Sequence, residues 1–401
     1  MSDALLTGIK VIDAASFIAG PAAATVLADF GAEVIKIEPP GVGDTYRNRS
    51  APGNPECDYN YAWIVDNRNK RGLALNLKSD EGLAVLYELV RQADVFVTNL
   101  PFPARTRLRV SYDDLAPLNE RLIYGSISAY GEAGPDADNP GFDSTALWAR
   151  TSLMDMMRPG PDSAPARSLP GMGDHPSAMS LFGGIMAALY RRERTGTYVN
   201  TSLMANGLWW NSIQVQAMLC GAEFEKRPPR EEATTALHNL YQTRDGRWFH
   251  LACVPEDKRW AALLAVLGRP DLGEDERFRD RGSRHAKAAA LIRIFDGIFL
   301  QKDWSEWKTL LDQANIPCSL IGTLRDIPHD EQMRASDALT PIDDERAGAR
   351  YIVNSPVWLR DGPKVAPRLA PALGEHTDEV LLEAGFSAAA IAALRRSGAI
   401  G

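Results

Sequence analysis

The chain has 401 residues, 45% hydrophobic and 24% charged, with a formal net charge of −8. That length exceeds one typical core, so two domains are expected, and the composition is that of a soluble globular protein. The acidic balance argues against a nucleic-acid partner, although an acidic protein can still carry a local basic site for an anionic ligand. From the N-terminus, MSDALLTGIKVIDAAS has no basic segment leading into an apolar one and predicts no secretory leader. GIKVIDA (8–14) is apolar and β-branched and reads as a strand, SFIAGPAA as a turn, and AAATVLADFG (22–31) as a helix ending at Gly31. EVIKIEPP (33–40) is a second strand stopped by two prolines, which makes a βαβ unit with a right-handed crossover.

The alternation recurs. LALNLKS (73–79) predicts a strand, DEGLAVLYELVRQA (80–93) a helix capped by Ser79 or Asp80, and DVFVTNL (94–100) the next strand. SYDDLAPLNERL (111–122) predicts a short helix and IYGSISAYG (123–131) another strand. The fold class is therefore α/β, a Rossmann-like, doubly wound, mostly parallel sheet. Ligands of such sheets bind at the carboxyl ends of the strands. Three loops lie there: SFIAGPAA, NLPFPARTR and AYGEAGPDADNPGFD.

Residues 132–173 read as an extended loop region with a helical piece at STALWARTSLMDMM. Helix is expected over roughly 176–195 and across VNTSLMANGLWWNSIQVQAMLCG (199–221). No apolar run reaches membrane-spanning length; SLFGGIMAALY is too short. EKRPPREEATT (225–235) is a charged linker. Beyond it LYQTRDGRWFHLACV predicts a hairpin with Asp245-Gly246 at its tip, followed by helices in KRWAALLAVLG and HAKAAALIRIFDGIFLQ. The tail is helical from about Thr377 or Asp378. The expected organisation is a large domain over 1–225, a smaller α+β domain over 236–330, and a C-terminal segment 331–401 returning to the large domain.

Cys57, Cys220, Cys253 and Cys318 are far apart, and the six histidines show no ligand spacing. These counts predict no disulfide framework, no metal site and a reducing, cytoplasmic setting. The first loop has one glycine where a dinucleotide site needs G-x-G-x-x-G, which excludes NAD and FAD, though its helix N-terminus can accept an anion. Arg68, Lys70 and Arg71 in DNRNKRG, and Arg105, Arg107 and Arg109 in NLPFPARTRLR, are placed to hold a phosphorylated ligand; each run alone also reads as a solvated face. Trp209 and Trp210 read as core or interface.

The chemistry centres on GMGDHPSAM (171–179). Asp174 reads as an N-cap, with Pro176 just inside the helix. It reads equally as a nucleophile, because a carboxylate at a helix N-terminus is held ionised and aimed. Gly171 and Gly173 allow an electrophile to approach, and their N–H groups can face a developing oxyanion. His175 is a candidate base, although side chains adjacent in sequence point apart. Tyr130 and Glu132 are placed to orient a ligand or to pack.

Four segments in register resemble the class III CoA-transferase family, which includes formyl-CoA transferase, the carnitine-type CoA-transferases and α-methylacyl-CoA racemase. They are GIKVIDAASFIAGPAAATVLADFGAEVIKIEPPGVGD, NRNKRGLALNLKSDEG, GMGDHPSAMSLFGGIMAALYRRERTG and LGEHTDEVL. The resemblance spans nearly the whole chain. It implies that Asp174 is the catalytic aspartate, and that Phe17, Ile18, Ala19, Glu38, Lys70, Arg71, Asn99, Arg107 and Tyr130 surround CoA. It implies two interlocked ring-like subunits in a homodimer, no tightly bound cofactor, and acyl-CoA plus a carboxylic acid as substrates. It implies a CoA-transferase that forms aspartyl anhydride and aspartyl–CoA intermediates. Phe142, Trp148 and Met154 are candidates for the acyl pocket or for packing.

Leu100-Pro101-Phe102-Pro103 and Arg109 depart from the family pattern, which has glycine at both places. In the aligned stretch GFDSTALWA, Phe142 stands where the racemase branch has its histidine, which favours transfer over epimerisation. GFDSTALWARTSLM followed by GDHPSAM looks most like the branch acting on 2-hydroxy and aryl-lactate acids. The alternatives are an acyl-CoA racemase, which would exchange the α-proton without an acceptor acid, and a non-catalytic acyl-CoA binder in which Asp174 is only a cap.

Overall fold

The computed structural model describes residues 4–48, 57–191, 195–224 and 227–401. Strands β1 (Lys10–Asp13), β2 (Glu33–Glu38), β3 (Arg71–Ala74), β4 (Val95–Thr98), β5 (Ile123–Ser128) and β6 (Thr197–Ser202) form one sheet in the order β3-β2-β1-β4-β5-β6. Every neighbouring pair is parallel, with Val11 of β1 opposite both Val34 and Val95. This is the doubly wound order, and its direction reverses between β1 and β4.

Alternate residues of each strand feed opposite faces. Val11 and Val97 join Leu27, Leu181 and Ile185 on one side, while Ile12 and Phe96 join Leu86, Val90 and Tyr124 on the other. Both faces are therefore buried, as parallel sheets require. The covering helices are α1 (Ala19–Asp29), α2 (Tyr61–Asn67), α3 (Asp80–Gln92), α4 (Phe102–Leu108), α5 (Asp174–Tyr190) and α6 (Leu203–Trp210). The start of α3 is set by Ser79, whose Oγ accepts the Gly82 N–H at 3.1 Å.

One expectation is corrected here. The stretch from residue 199 read as helix throughout, but Thr197–Ser202 is the sixth strand, paired to β5 along its whole length. Its β-branched residues favour a strand, and Ser202 then caps α6 by accepting the Ala205 N–H. An apolar run with no period conceals that junction.

By internal contacts the chain forms two units: residues 1–153, 167–220 and 331–401, and residues 154–166 with 221–330. In the second, β7 (His238–Gln242) and β8 (Trp248–Ala252) make the expected hairpin, with Gly246 at φ 76° in its turn. A strand the sequence reading did not mark, β9 (Cys318–Leu320), extends it antiparallel to β8. Helices α7 (Glu256–Leu267), α8 (Ala288–Phe299) and α9 (Trp304–Gln313) pack over an aromatic core of Tyr241, Phe249, Phe295, Phe299 and Trp307. Residues 225 and 226 of the expected linker lie outside the described residues. The tail returns to β3 of the first unit: α10 (Thr377–Glu383) brings Thr377 Oγ1 to the Ala74 N–H at 3.2 Å. Among the described residues no helix is long and apolar enough to cross a membrane.

Candidate active site

The carboxyl ends of β1 and β4, at the reversal of strand order, are tied together by their own loops. The Ser16 N–H donates to Asn99 Oδ1 at 2.8 Å, and Asn99 Nδ2 donates back to the Ser16 carbonyl at 2.7 Å. The next residue, Phe17, holds a left-handed backbone at φ 62°, with its N–H directed at Asp44 Oδ1 at 3.3 Å. A non-glycine residue in that region costs free energy and persists only where its surroundings fix it. The result is a cleft of about 870 Å³ walled by Phe17, Ile18, Asn99, Phe142, Gly171 and Asp174. Phe17 and Phe142 meet edge to face with ring centres 5.7 Å apart.

Asp174 sits at the start of α5, but not as its cap. Gly173 occupies the cap position and Asp174 is the first helical residue, so the expected side-chain cap is replaced by a charge in the first turn. The two glycines before it are there for space. A Cβ on Gly173 would fall 2.8 Å from Asp143 Cβ and 3.0 Å from Leu147. Gly171 has φ 81°, where L side chains are strained. The Gly173 N–H does not face the cleft as an oxyanion donor: it is donated to Asp143 Oδ2 at 3.0 Å. Asp143 is 5% exposed and opens a π-helical turn, Asp143–Ala149.

His175 turns away from its neighbour. Its Nε2 lies 2.8 Å from Oδ1 of the buried Asp66, and it is not among the residues lining the cleft. Burial works against its positive charge, but the Asp66 hydrogen bond and charge, with Asp174 and the Gly171 backbone adding, overcome this and raise its pKa above 6.5.

Beneath this pair lies a layer of buried charge. Lys70 Nζ donates to Asp13 Oδ2, the Pro21 carbonyl and the Asp66 carbonyl, each at 2.8 Å, and to Asn67 Oδ1 at 3.0 Å. Burial pulls its pKa down to about 8, against the attraction of Asp13. Lys36, fully buried, lies 3.1 Å from Asp44 and 3.9 Å from Asp13. Burial raises the Asp13 pKa, yet the two lysines together hold it below the ordinary value.

Of the residues expected around CoA, the cleft brings together Phe17, Ile18, Ala19 and Asn99, and of the expected acyl-pocket residues Phe142 and Gly171, all with Asp174. The others stand elsewhere. Glu38 is gripped by Arg47, with Nη2 to Oε2 at 2.6 Å and Nε to Oε1 at 2.9 Å. Lys70 is enclosed in the charged layer. Arg71 pairs with Glu33, Glu379 and Glu383. Arg107 is exposed on α4, whereas Arg105 is buried, donating to the Leu100 carbonyl at 2.6 Å and Ser126 Oγ at 2.8 Å. Tyr130 packs on the core beside Gly141. Trp148 stands edge to face with Trp210 at 6.4 Å, and Met154 belongs to the second unit.

Sequence reasoning missed Asp44, Asp66 and Asp143, the carboxylates that fix the Phe17 backbone, His175 and Gly173. Asp143 lay inside the quoted GFDSTALWA, where its place at a turn onto a helical segment was the available signal. Among the described residues no group of three or more His, Cys, Asp or Glu side chains could hold a metal ion.

Comparison with known proteins gives the same outline. The family described as CoA-transferase family III matches residues 6–377. The (R)-2-hydroxy-4-methylpentanoate CoA-transferase of Clostridioides difficile is 34% identical, over 95% of this chain and 96% of that protein. The cinnamoyl-CoA:phenyllactate CoA-transferase of Clostridium sporogenes is 33% identical, over 96% of this chain and 94% of that one. A crystal structure of a CAIB/BAIF family protein from Brucella suis superposes with a TM-score of 0.84 at 26% identity, covering 96% of this chain and all of that one.

Proposed function

Because the chain belongs to CoA-transferase family III, we propose that Asp174 is its nucleophile, carrying CoA from an acyl-CoA donor to a 2-hydroxy or aryl carboxylic acid. The observation that carries this is the Asp174 carboxylate on the first residue of α5, lining the cleft at the reversal of strand order. The helix N-terminus favours the ionised, attacking form.

The exchange runs through covalent steps. An Asp174 carboxylate oxygen attacks the donor thioester carbonyl, the C–S bond breaks, and CoA leaves as its thiolate from a mixed anhydride. The thiolate attacks Asp174 Cγ, the anhydride C–O bond breaks, and the donor acid departs as a carboxylate, leaving an aspartyl–CoA thioester. The acceptor carboxylate then attacks Cγ and expels the thiolate. The thiolate attacks the acceptor's acyl carbon and frees Asp174. No step gains or loses a proton, so the scheme asks for no general base. That agrees with His175 being held by Asp66, outside the cleft lining. Epimerisation instead needs a base on each face of the α-carbon, and among the described residues the cleft lining contains no histidine. The apolar surface of Phe17, Leu100, Ile127, Phe142 and Leu203 suits a branched or aryl acyl group. The two hydroxy-acid relatives supply the acceptor class. An interlocked homodimer belongs to the same reading, and light scattering in solution checks it.

The experiment is intact-protein mass spectrometry after mixing with cinnamoyl-CoA and a panel of short branched acyl-CoAs. A CoA or acyl adduct that hydroxylamine removes, present in wild type and absent in Asp174→Ala, is the expected result. Solvent deuterium entering the α-carbon with no acceptor present, and no adduct, would replace transfer by epimerisation.

A further inference from the structure

Asp174 is held through the residue before it. Gly173 is buried and clamped at both of its backbone groups. Its carbonyl accepts the Ser177 N–H at 3.2 Å, the ordinary bond of a first helical turn, and the Ser177 Oγ–H at 2.7 Å. Its N–H donates to Asp143 Oδ2 at 3.0 Å, and that bond is not ordinary. In a capping box the side chain at the third helical position takes the N–H of the cap residue. In α5 that position is Pro176, whose side chain has no acceptor, so Asp143 supplies one from 30 residues away. It is a costly way to satisfy one N–H. Asp143 is buried, and among the described groups its carboxylate has no other hydrogen-bond or ion-pair partner. A buried carboxylate without a cation lowers stability. A residue that breaks this rule beside a reacting group points to function.

Asp143 itself stands on rigid ground. It opens the π-helical turn Asp143–Ala149, in which Ala146 and Leu147 are fully buried. The Phe142 N–H just ahead of it is held by Thr145 Oγ1 at 3.0 Å. Gly173 lies so close to Asp143 and Leu147 that a Cβ there would collide with both. We propose that Asp143 is a positioning residue for the transfer. By fixing the Gly173 peptide it aims the Asp174 carboxylate at the thioester carbonyl, and it acts through Gly173 rather than on the substrate. The inference rests on Asp174 being the nucleophile. A displacement of about 1 Å in a reacting group costs roughly 100-fold in rate. One backbone hydrogen bond next to that group therefore matters far beyond its own strength.

The test follows adduct formation with cinnamoyl-CoA by intact mass over a range of thioester concentrations, with rates taken per folded protein. The proteins are wild type, Asp143→Ala, Asp143→Asn, Gly173→Ala and the double variant of Asp143→Ala with Gly173→Ala. Asp143→Ala is expected to lower the saturated rate by roughly 100-fold and to leave the half-saturating concentration nearly unchanged. Asp143→Asn keeps an oxygen that accepts the N–H and should return to within about tenfold of wild type. Gly173→Ala should also be slow, because its methyl group is forced against Asp143 Cβ. The double variant should be no slower than the slower single one, since both changes act at one contact. Should Asp143→Ala fail to fold, Asp143→Leu removes the acceptor while keeping the bulk. An unchanged saturated rate with only a lowered unfolding midpoint would make Asp143 a purely structural residue and overturn the proposal. Losses that multiply in the double variant would put Asp143 on the substrate, and an Asp143→Asn as slow as Asp143→Ala would make its charge the active feature. Either result overturns it too. A wild type that forms no adduct with any acyl-CoA would overturn the aspartyl mechanism itself, a result distinct from all of these.

Discussion

The first unit buries charge under its cleft; the second buries rings. Asp13 and Lys36 are fully buried, and Asp66 and Lys70 nearly so, at 1% and 3% exposure. In the second unit Tyr241, Phe249, Phe295 and Phe299 are fully buried, with neighbouring ring centres 4.9 to 6.1 Å apart. Its ion pairs are mostly exposed, as between Arg244 and Asp303. Arg284 is the exception, 1% exposed, but it lies over the Trp260 ring and pairs with Asp257. Aromatic packing is the cheaper way to hold a domain together, because buried ions must first recover their desolvation. The first unit accepts that cost for geometry. Asp13 also takes the Ala15 N–H at 3.1 Å, Asp44 the Phe17 N–H, and Asp66 the His175 ring. Asp44 fixes the Phe17 wall of the cleft as well as Lys36, while Asp13 and Asp66 hold groups outside its lining.

The sharpest break between catalysis and support is Asp174→Asn. It removes the nucleophile and is expected to lower transfer by roughly a thousandfold or more. Asp174 is only half-buried and serves no cap, so the unfolding midpoint should stay near that of wild type. Loss of stability alongside activity would mean that the carboxylate supports the fold. Next is Lys70→Met, which strands Asp13 and the Asp66 carbonyl without their shared donor. Breaking a buried pair costs about 3–5 kcal/mol. Hydrogen exchange read separately in each unit should place that loss in β1, α1 and α2 of the first. Exchange unchanged there would mean that the charged layer is not what holds the loops. Ile292→Val, in the fully buried wall of the aromatic unit, should cost only about 0.5–1.5 kcal/mol, confined to the second unit, with transfer kinetics unaltered.

The two regions also differ in how legible they were. The ring-packed unit announced its hairpin through Asp245-Gly246 and its helices through strong apolar periodicity. Helix α9 and strand β9 escaped, the strand being only three residues long. In the first unit the alternation of strands and helices was plain, Asp174 stood out by its place at a helix start, and Asn99 and the 17–19 turn were named only through the family resemblance. The charged residues were harder to read. Lys70 and Arg71 read as phosphate ligands or as a solvated face, because a sequence shows charge and not the partners that meet it. What absorbs them, Asp13 for Lys70 and Glu379 with Glu383 for Arg71, lies 57 and roughly 300 residues away. Asp66 was invisible for the same reason: its partner His175 is 109 residues distant.

The smallest expected effect tests whether the charged layer reaches the cleft through His175. Its folded pKa lies above 6.5, so the Asp66 pairing contributes stability that is fully present below pH 6.5 and is lost as pH rises through the folded value. Urea midpoints of wild type and His175→Gln, compared between about pH 5.5 and 9, should therefore differ most at the acid end and converge at the alkaline end. The ring is half-exposed, and solvent screening keeps the difference below that of Lys70→Met. A gap that widened with pH would mean that Asp66 does not hold the imidazolium. The kinetic arm separates support from chemistry. Since no step of the exchange moves a proton, the rate of adduct formation in wild type should stay level while the midpoint difference fades. A rate that tracked the midpoint would make the imidazolium part of the attack on the thioester, and the line between the supporting layer and the reacting carboxylate would then fall beneath His175 instead of above it.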